Sequence, residues 1–223
     1  MVLMVAELRF PLVIFDWDGT LADSTAVIRR ALQRSAEDLR YPVPTDAQAS
    51  FIIGMGLRPA LAHAIPTLRD EDIVPLTERF RYHFVQGENE IVLFDGVPEM
   101  LAALRTRGHW LAVATGKSRR GLDRAFDTLG LRDFFVASRC ADEGFSKPHP
   151  GMLHALFDKT GLRAAEAVMI GDTSHDLQLA ENAGTASIAV TYGAHERELL
   201  IAHNPLTLVD SVSALRAYLE AHA

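Results

Sequence analysis

The chain has 223 residues, of which 48% are hydrophobic and 23% are charged, and this balance excludes a disordered chain because there is enough apolar material to bury a core. The formal charge of −7 disfavours a nucleic-acid partner, since a negative surface repels a phosphodiester backbone. It leaves open a small phosphate substrate, because a few donors and a metal ion can reverse the field inside a cleft.

The single cysteine, Cys140, cannot form an internal disulfide, which is typical of a reducing compartment. We interpret it as a small, partly buried side chain rather than a catalytic thiol. The apolar residues 1–5 are followed by Glu7 and Arg9, and no run approaches the roughly 18 to 20 apolar residues of a spanning helix. The sequence therefore predicts a cytoplasmic protein with no membrane partner, and both a monomer and a homodimer stay open.

Short apolar runs recur along the chain, and each is typical of a strand buried on both faces of a parallel sheet. Helical stretches that end at a glycine lie between the later runs, as in successive βαβ units. The fold class predicted is therefore α/β, with a Rossmann-like parallel-sheet core. The predicted strands are 12–15, 110–114, 135–137, 167–170, 186–190 and 206–209, and the predicted helices between the later strands are 98–107, 120–129, 152–160 and 177–183.

The segment 22–93 departs from this alternation. Helical patterns cover residues 26–39, 59–65 and 73–84, and no run there has the character of a buried strand. Because α/β sheets bind ligands at the carboxyl ends of their strands, we interpret the segment as an α-helical cap subdomain inserted after the first strand. Residues 1–21 and 94–223 then form the core. The alternative is that these helices pack on a face of the sheet.

Two carboxylates two residues apart, Asp16 and Asp18, directly follow the first predicted strand. Like charges repel in a partly desolvated site, so a bound cation would explain the pair. One carboxylate could then act as nucleophile and metal ligand, while the other exchanges a proton with the leaving group. Gly19 permits a tight turn that leads the chain away from the sheet. Taken alone the pattern is weak, because acidic turns are common and a solvated loop fits it equally well.

A second acidic pair, Asp172 and Asp176, follows the strand predicted at 167–170. Their four-residue spacing puts them on one face if a helix begins here. Parallel strands bring their carboxyl ends to one edge, so both acidic pairs can converge, and ligands that are all oxygen favour magnesium over zinc. The alternative for each residue is capping of a helix N-terminus.

Two further positions offer groups for a phosphate. Thr115 and Gly116 stand between a predicted strand and a helix, where a hydroxyl and free N–H groups bind anions, although Thr115 can also cap the helix. Lys147 precedes the first of two nearby prolines, and this stiff frame limits the entropy lost in aiming its ammonium group. We expect Lys117 to be exposed and His149 to be structural or peripheral.

In this order the four motifs resemble those of the haloacid dehalogenase superfamily, and in particular its phosphoglycolate-phosphatase-like branch with a small helical cap. The likeness covers essentially the whole chain, including the insertion point after the first motif. The motifs are specific to the superfamily and poorly specific to a substrate. The matching positions are Asp16-Trp17-Asp18-Gly19-Thr20, Thr115-Gly116, Lys147-Pro148 and Gly171-Asp172 with Asp176.

The resemblance implies a phosphatase that hydrolyses a small phosphorylated metabolite. Asp16 would attack phosphorus and form an aspartyl-phosphate. Asp18 would protonate the departing alcohol and then deprotonate the water that cleaves the intermediate. Thr115, with Gly116, and Lys147 would hold the transferring phosphoryl group. As in phosphoryl transfer generally, positioning and charge neutralisation would do most of the catalysis.

The resemblance also implies a magnesium ion bound by Asp16, by the main-chain carbonyl of Asp18 and by Asp172. Asp176 would be either a direct ligand or a hydrogen-bond acceptor for a group that binds the ion. Dehalogenases of similar fold lack an acid at the position of Asp18, and the phosphonate hydrolases of the family carry a small residue there. Phosphate-ester chemistry therefore fits this sequence best.

The segment 53–58 is similar to the loop that such caps extend into the active site. Gly54 would let the backbone approach the ligand, and Arg58 would bind a second anionic group such as a carboxylate. A carboxylate-bearing ester such as 2-phosphoglycolate is then one candidate substrate. The alternative for Arg58 is an exposed arginine at the start of a helix.

Two other functions stay open. A phosphomutase would share every residue named above and would return the phosphoryl group to another hydroxyl of its substrate. A receiver-like signalling module phosphorylated on aspartate, or a non-catalytic binding protein, would also place acids, a hydroxyl and a lysine at strand ends. Receivers, however, lack a large insertion after the nucleophile strand and need no acid two residues beyond it.

Overall fold

The computed structural model of the protein describes residues 8–223, so the interpretation of residues 1–5 lies outside it. Within the described residues the strands are β1 (Leu12–Phe15), β2 (Ala22–Asp23), β3 (Val92–Leu93), β4 (Trp110–Thr115), β5 (Ala137–Cys140), β6 (Ala167–Gly171), β7 (Ala186–Val190) and β8 (Leu208–Val209). The helices are α1 (Thr25–Asp38), α2 (Asp46–Phe51), α3 (Leu57–Ala64), α4 (Ile73–Gly87), α5 (Val97–Thr106), α6 (Arg119–Leu129), α7 (Gly151–Thr160), α8 (Ser174–Ala183), α9 (Arg197–Ile201) and α10 (Val212–His222).

The predicted α/β class is confirmed by a parallel sheet with the strand order β5-β4-β1-β6-β7-β8. From β1 the chain proceeds outward through β4 and β5 on one side, and it then returns to build β6, β7 and β8 on the other. The direction of winding therefore reverses beside β1. In open α/β sheets ligands bind at such a reversal, outside the carboxyl ends of the strands.

Helices cover both faces of the sheet. Along β1 the side chains alternate, so that Val13 and Phe15 pack with α5, α6 and α10, whereas Leu12 and Ile14 pack with α7 and α8. All four residues are fully buried, which is why the run is continuously apolar. Helices α6, α7 and α8 each end at the glycine that the sequence indicated, in the left-handed conformation.

The helices α1 to α4 lie between β1 and β4 in the chain and have an apolar cluster of their own. Leu32 of α1, Leu61 of α3 and Leu76 of α4 are fully buried in it. This cluster is separate from the two clusters that cover the sheet faces. The chain enters and leaves the helical segment through the antiparallel ribbon of β2 and β3.

Several boundaries differ from the prediction. The strand predicted at 135–137 was wrong, because β5 starts at Ala137 and runs to Cys140. As an edge strand, β5 carries the half-buried polar residues Ser138 and Arg139, so it lacks the apolar run that marks the buried strands. The run predicted at 206–209 forms a strand only over β8. The sequence reading also missed helix α2 and the ribbon of β2 and β3, which are six residues and two residues per strand long. In the part of the chain that the structure describes, no helix has both the length and the apolar character needed to cross a membrane.

Candidate active site

Asp16 directly follows β1 and is completely buried. Its Oδ1 accepts a hydrogen bond from Nζ of Lys147 at 2.7 Å, and Lys147 also donates to Oδ1 of Asp176 at 2.5 Å. The other oxygen of Asp16, Oδ2, is buried and has no hydrogen-bond partner among the described residues. A buried carboxylate oxygen without a partner is costly, so this atom marks the place where a bound group would be stabilising.

The second acidic pair is held by hydrogen bonds at the carboxyl end of β6. Asp172 accepts from Oγ1 of Thr20 at 2.8 Å and from the main-chain N–H of Ala194 at 2.7 Å. Asp176 accepts from Thr173, through its main-chain N–H at 3.0 Å and its hydroxyl at 2.7 Å. The capping alternative thus holds for one oxygen of Asp176, in a capping box at the start of α8, while its other oxygen faces Lys147.

The arrangement fits a hard divalent cation. Asp16, Asp172 and Asp176 each offer a carboxylate oxygen, and these three atoms lie within 4.8 Å of one another. Glycines keep the surrounding space free of side chains: a Cβ at Gly19 would stand 2.2 Å from Oδ2 of Asp172, and one at Gly171 would stand 2.3 Å from Cβ of Asp176. Carboxylate oxygens are the ligands that magnesium prefers.

The electrostatics of the group also call for positive charge. Burial, together with the charge of Asp176, raises the pKa of Asp172 to about 7, although two hydrogen bonds oppose the shift. Burial raises the pKa of Asp16 well above its ordinary value, against the opposing charge of Lys147. Burial alone would lower the pKa of Lys147, but the charges of Asp16 and Asp176 outweigh it and raise that pKa. One ammonium group therefore does not balance three crowded carboxylates.

Asp18 is held from two sides. Nζ of Lys117 lies 2.8 Å and 3.1 Å from its two carboxyl oxygens, and the hydroxyl of Ser24 donates to Oδ1 at 2.7 Å. The same ammonium lies 4.8 Å from the ring centroid of Phe84 on α4. The expectation that Lys117 is exposed was wrong: its side chain is only 10% exposed, because the inserted helix covers it.

Thr115, at the end of β4, is fully buried and does not cap the following helix. Its Oγ1 accepts from the main-chain N–H of Lys117 at 3.2 Å, whereas Ser118 is the residue that caps α6. The capping alternative for Thr115 is therefore wrong. No described residue accepts the hydrogen of this hydroxyl, so Thr115 can donate it to a ligand.

The loop before α3 rests directly on the turn that follows β4. A Cβ at Gly116 would lie 2.6 Å from the carbonyl oxygen of Met55 and 2.7 Å from that of Gly54. Gly54 has a φ of +88°, which glycine adopts without strain. Together with Asp18 and Arg58, these residues line a cleft between the inserted helices and the sheet edge. The structure thus brings the predicted loop to the same cleft as the predicted acid.

A contact between the inserted segment and the β6 edge was not foreseen from the sequence. The carbonyl of Phe51 accepts hydrogen bonds from Nε2 of His175 at 2.8 Å and from Nε2 of His195 at 3.0 Å. His195 in turn accepts from the N–H of Ser174 through Nδ1, and the Phe51 ring stacks between His63 and His195. Burial lowers the pKa of both hydrogen-bonded histidines, which fits neutral rings.

A parallel α/β sheet with four acids, a buried lysine and a hydroxyl at its carboxyl edge, under an inserted helical segment, defines the class of aspartate-based hydrolases. Comparison with known proteins makes the class specific. The sequence profile of the family described as haloacid dehalogenase-like hydrolase matches residues 13–190. The chain therefore belongs to the haloacid dehalogenase-like hydrolases, and within them it is a phosphatase similar to the phosphoglycolate phosphatases.

Related proteins align over almost their whole length. A probable phosphatase, IndB, of Dickeya dadantii is 36% identical over 91% of this chain and 90% of its own. A 5'-nucleotidase of Pseudomonas aeruginosa is 36% identical over 97% and 99%, and a phosphoglycolate phosphatase of Aliivibrio fischeri is 32% identical over 93% and 96%. The crystal structure of a predicted phosphatase from Clostridium acetobutylicum shares the fold, with a TM-score of 0.86 at 25% identity over 96% of this chain and 100% of that one.

Proposed function

We propose that the protein hydrolyses a small phosphorylated metabolite, with magnesium, through an aspartyl-phosphate on Asp16. The observation that carries this proposal is Oδ2 of Asp16, which is buried, has no hydrogen-bond partner within residues 8–223 and lies beside Lys147 and two further carboxylates. An oxygen that makes no hydrogen bond keeps its lone pairs for phosphorus or a cation. The related 5'-nucleotidase and phosphoglycolate phosphatase support the same reaction class.

The first half-reaction transfers the phosphoryl group to the enzyme. A carboxylate oxygen of Asp16 forms a bond to phosphorus as the bond to the ester oxygen breaks, and Asp18 gives its proton to the departing oxygen. Thr115 and Lys147 hold the oxygens of the transferring group. Lys117 and Ser24 both donate hydrogen bonds to Asp18, and these contacts fix the orientation of its carboxyl group.

The second half-reaction releases phosphate. Asp18 takes a proton from a water molecule, the water oxygen bonds to phosphorus, and the bond between phosphorus and Asp16 breaks. The residues that would hold magnesium are Asp16, Asp172, the main-chain carbonyl of Asp18 and Asp176. When bound, the ion supplies positive charge to the phosphoryl oxygens.

We assign residues 22–93 the role of a cap that determines substrate specificity. This assignment is supported by the separate apolar cluster of α1 to α4 and by the loop at Gly54 that lies on Gly116. The cytoplasmic location, and the choice between monomer and homodimer, stay predictions.

Phosphate release from p-nitrophenyl phosphate tests the reaction. Asp16→Asn, which is nearly isosteric, should abolish turnover, and Asp18→Asn should slow it by about 10²- to 10⁴-fold. The exposed Asp23 is a matched control, and Asp23→Asn should keep the wild-type rate. Full activity in Asp16→Asn would overturn the nucleophile assignment.

Magnesium binding is tested without turnover. Titration of the metal into the metal-free protein should raise its melting temperature, and Asp172→Asn should weaken that response. A chelator should stop hydrolysis, and a rate that survives the chelator would refute the metal role. A phosphomutase, which shares the site, would give an isomerised sugar phosphate with no free phosphate. Membership of a hydrolase family argues against a receiver-like or non-catalytic module.

A further inference from the structure

The cleft between the inserted helices and the sheet edge is much larger than a two-carbon ester requires. It has a volume of about 1030 Å³ and reaches the carboxyl group of Asp18. Pockets of about 300 to 1000 Å³ hold drug-sized ligands. A leaving group such as glycolate would fill a small part of this space and leave the rest to water. The volume has room for a leaving group of nucleoside size.

Three of the guanidinium groups that line this cleft have no ion-pair partner among the residues that the structure describes. Arg58 of α3, Arg81 of α4 and Arg120 of α6 are exposed, and none of them forms an ion pair within residues 8–223. Their neighbours behave differently: Arg119 and Arg124, also on α6, are paired with glutamates. Five basic side chains line the cleft against three acidic ones, Asp18, Glu78 and Asp142. In a chain with a net charge of −7 this local excess of positive charge favours an anionic ligand. The planar guanidinium fork binds a carboxylate or a phosphate through two parallel hydrogen bonds.

Exposed aromatic rings line the cleft from both of its walls. Phe145, in the core loop just before Lys147, is 71% exposed, and Tyr82 on α4 is 53% exposed. Phe145 packs against the His149 ring, with ring centroids 4.3 Å apart, and an aromatic face that stays open gains energy when another flat ring stacks on it. The two side chains therefore favour a ligand with a planar ring.

We propose that the substrate is a phosphomonoester whose leaving group is nucleoside-sized, contains a flat ring and carries a second negative charge that the arginines bind. This rests on the proposed function, because it names the substrate class of the same site. The leaving group would extend from Asp18 into the cleft, with its ring near Phe145 and its second anion near Arg58, Arg81 and Arg120.

A matched pair of substrates isolates the second charge. Orotidine 5'-monophosphate and uridine 5'-monophosphate differ by one carboxylate on the ring, and 2-phosphoglycolate has a carboxylate but no ring. We expect kcat/KM to be about 10- to 100-fold higher for the orotidine ester than for the uridine ester, the worth of one charge-assisted hydrogen bond or bidentate pair. Both should exceed 2-phosphoglycolate. Equal values for the two nucleotides, or a preference for 2-phosphoglycolate, would overturn the inference.

Variants test the residues. In the triple variant Arg58→Gln, Arg81→Gln and Arg120→Gln, the ratio of kcat/KM for the orotidine ester to that for the uridine ester should fall towards one. Arg34→Gln, which changes an exposed arginine of α1 outside the cleft, should leave the ratio unchanged. Phe145→Ala should raise KM for both nucleotides and not for 2-phosphoglycolate. A ratio that the triple variant does not alter contradicts the role of the arginines, and melting temperatures check that each variant is folded.

The two proposals fail in different ways. If wild-type protein hydrolyses p-nitrophenyl phosphate in an Asp16-dependent way but does not distinguish the two nucleotides, only the substrate class is overturned. If no phosphomonoester is hydrolysed in the presence of magnesium, the proposed function itself is overturned.

Discussion

Of the lysines that the structure describes, Lys147 should be the one whose replacement destabilises the protein most. Lys147 is fully buried and donates to Asp16 and Asp176, so Lys147→Met leaves two buried carboxylates without their cation. Breaking a buried pair in this way costs about 3 to 5 kcal/mol. For a chain of this size we expect the melting temperature to fall by about 6 to 20 °C.

Urea unfolding in the presence of a chelator measures the loss. Lys117→Met is the matched control, because Lys117 makes a similar pair with a single carboxylate, that of Asp18, nearer the surface; we expect it to lose about 1 to 2 kcal/mol. The loss in Lys147→Met should be smaller at pH 5.5 than at pH 8, since the carboxyl groups that burial crowds together then take up protons.

Magnesium should restore part of the stability lost in Lys147→Met, because it brings the missing positive charge to Asp16. A metal concentration of 100 times Kd would contribute about 2.7 kcal/mol. Two results would refute the reasoning: equal losses in the two lysine variants, or a loss in Lys147→Met that does not depend on pH.

Three further changes have predictable outcomes. In Gly116→Ala the new methyl group would meet the carbonyl oxygen of Met55 at 2.6 Å, so kcat/KM should fall roughly 10- to 100-fold. The control Gly121→Ala, where the nearest neighbour of the methyl group is a side-chain hydroxyl at 3.3 Å, should stay near wild type. Equal effects of the two substitutions would contradict the contact. The folded-state pKa of Asp172, about 7, lies above its unfolded value, so the metal-free protein should lose stability as pH rises from 5 to 7. Chemical denaturation should show a loss of up to about 2 to 3 kcal/mol relative to Asp172→Asn. A stability difference between the two proteins that does not change with pH would count against the raised pKa. Burial raises the pKa of the Cys140 thiol to about 12, so iodoacetamide at pH 8 should label it only after unfolding, and rapid labelling of the native protein, seen by mass spectrometry, would contradict its burial.

The sheet could be predicted from the sequence because its central strands are buried on both faces and therefore read as apolar runs. The same runs located the chemistry, since Asp16, Thr115 and Asp172 each stand at the carboxyl end of a strand. The edge strand β5 escaped prediction for the converse reason, because residues such as Ser138 are only half-buried and need not be apolar.

What the sequence could not provide is the partner of each polar group. Thr20 donates to Asp172 across 152 positions, and Lys117 reaches Asp18 across 99. Such pairs depend on how distant segments meet, and neither residue type nor spacing signals them. Helix α2 did carry a local signal, the capping box of Thr45 and Gln48, but its six residues are too few to show a helical period.

The carbonyl of Phe51 has a consequence for how a substrate enters. This single oxygen joins α2 to His175, which precedes Asp176 in the chain, and to His195, which holds the N–H of Ser174. An outward swing of α2 must break both hydrogen bonds, at a net cost of about 1 kcal/mol each. An open position of α2 would admit a large substrate but would loosen the loop that carries Asp172 and Asp176. The acidic residues would therefore be best ordered for the reaction only after α2 has closed over the bound substrate.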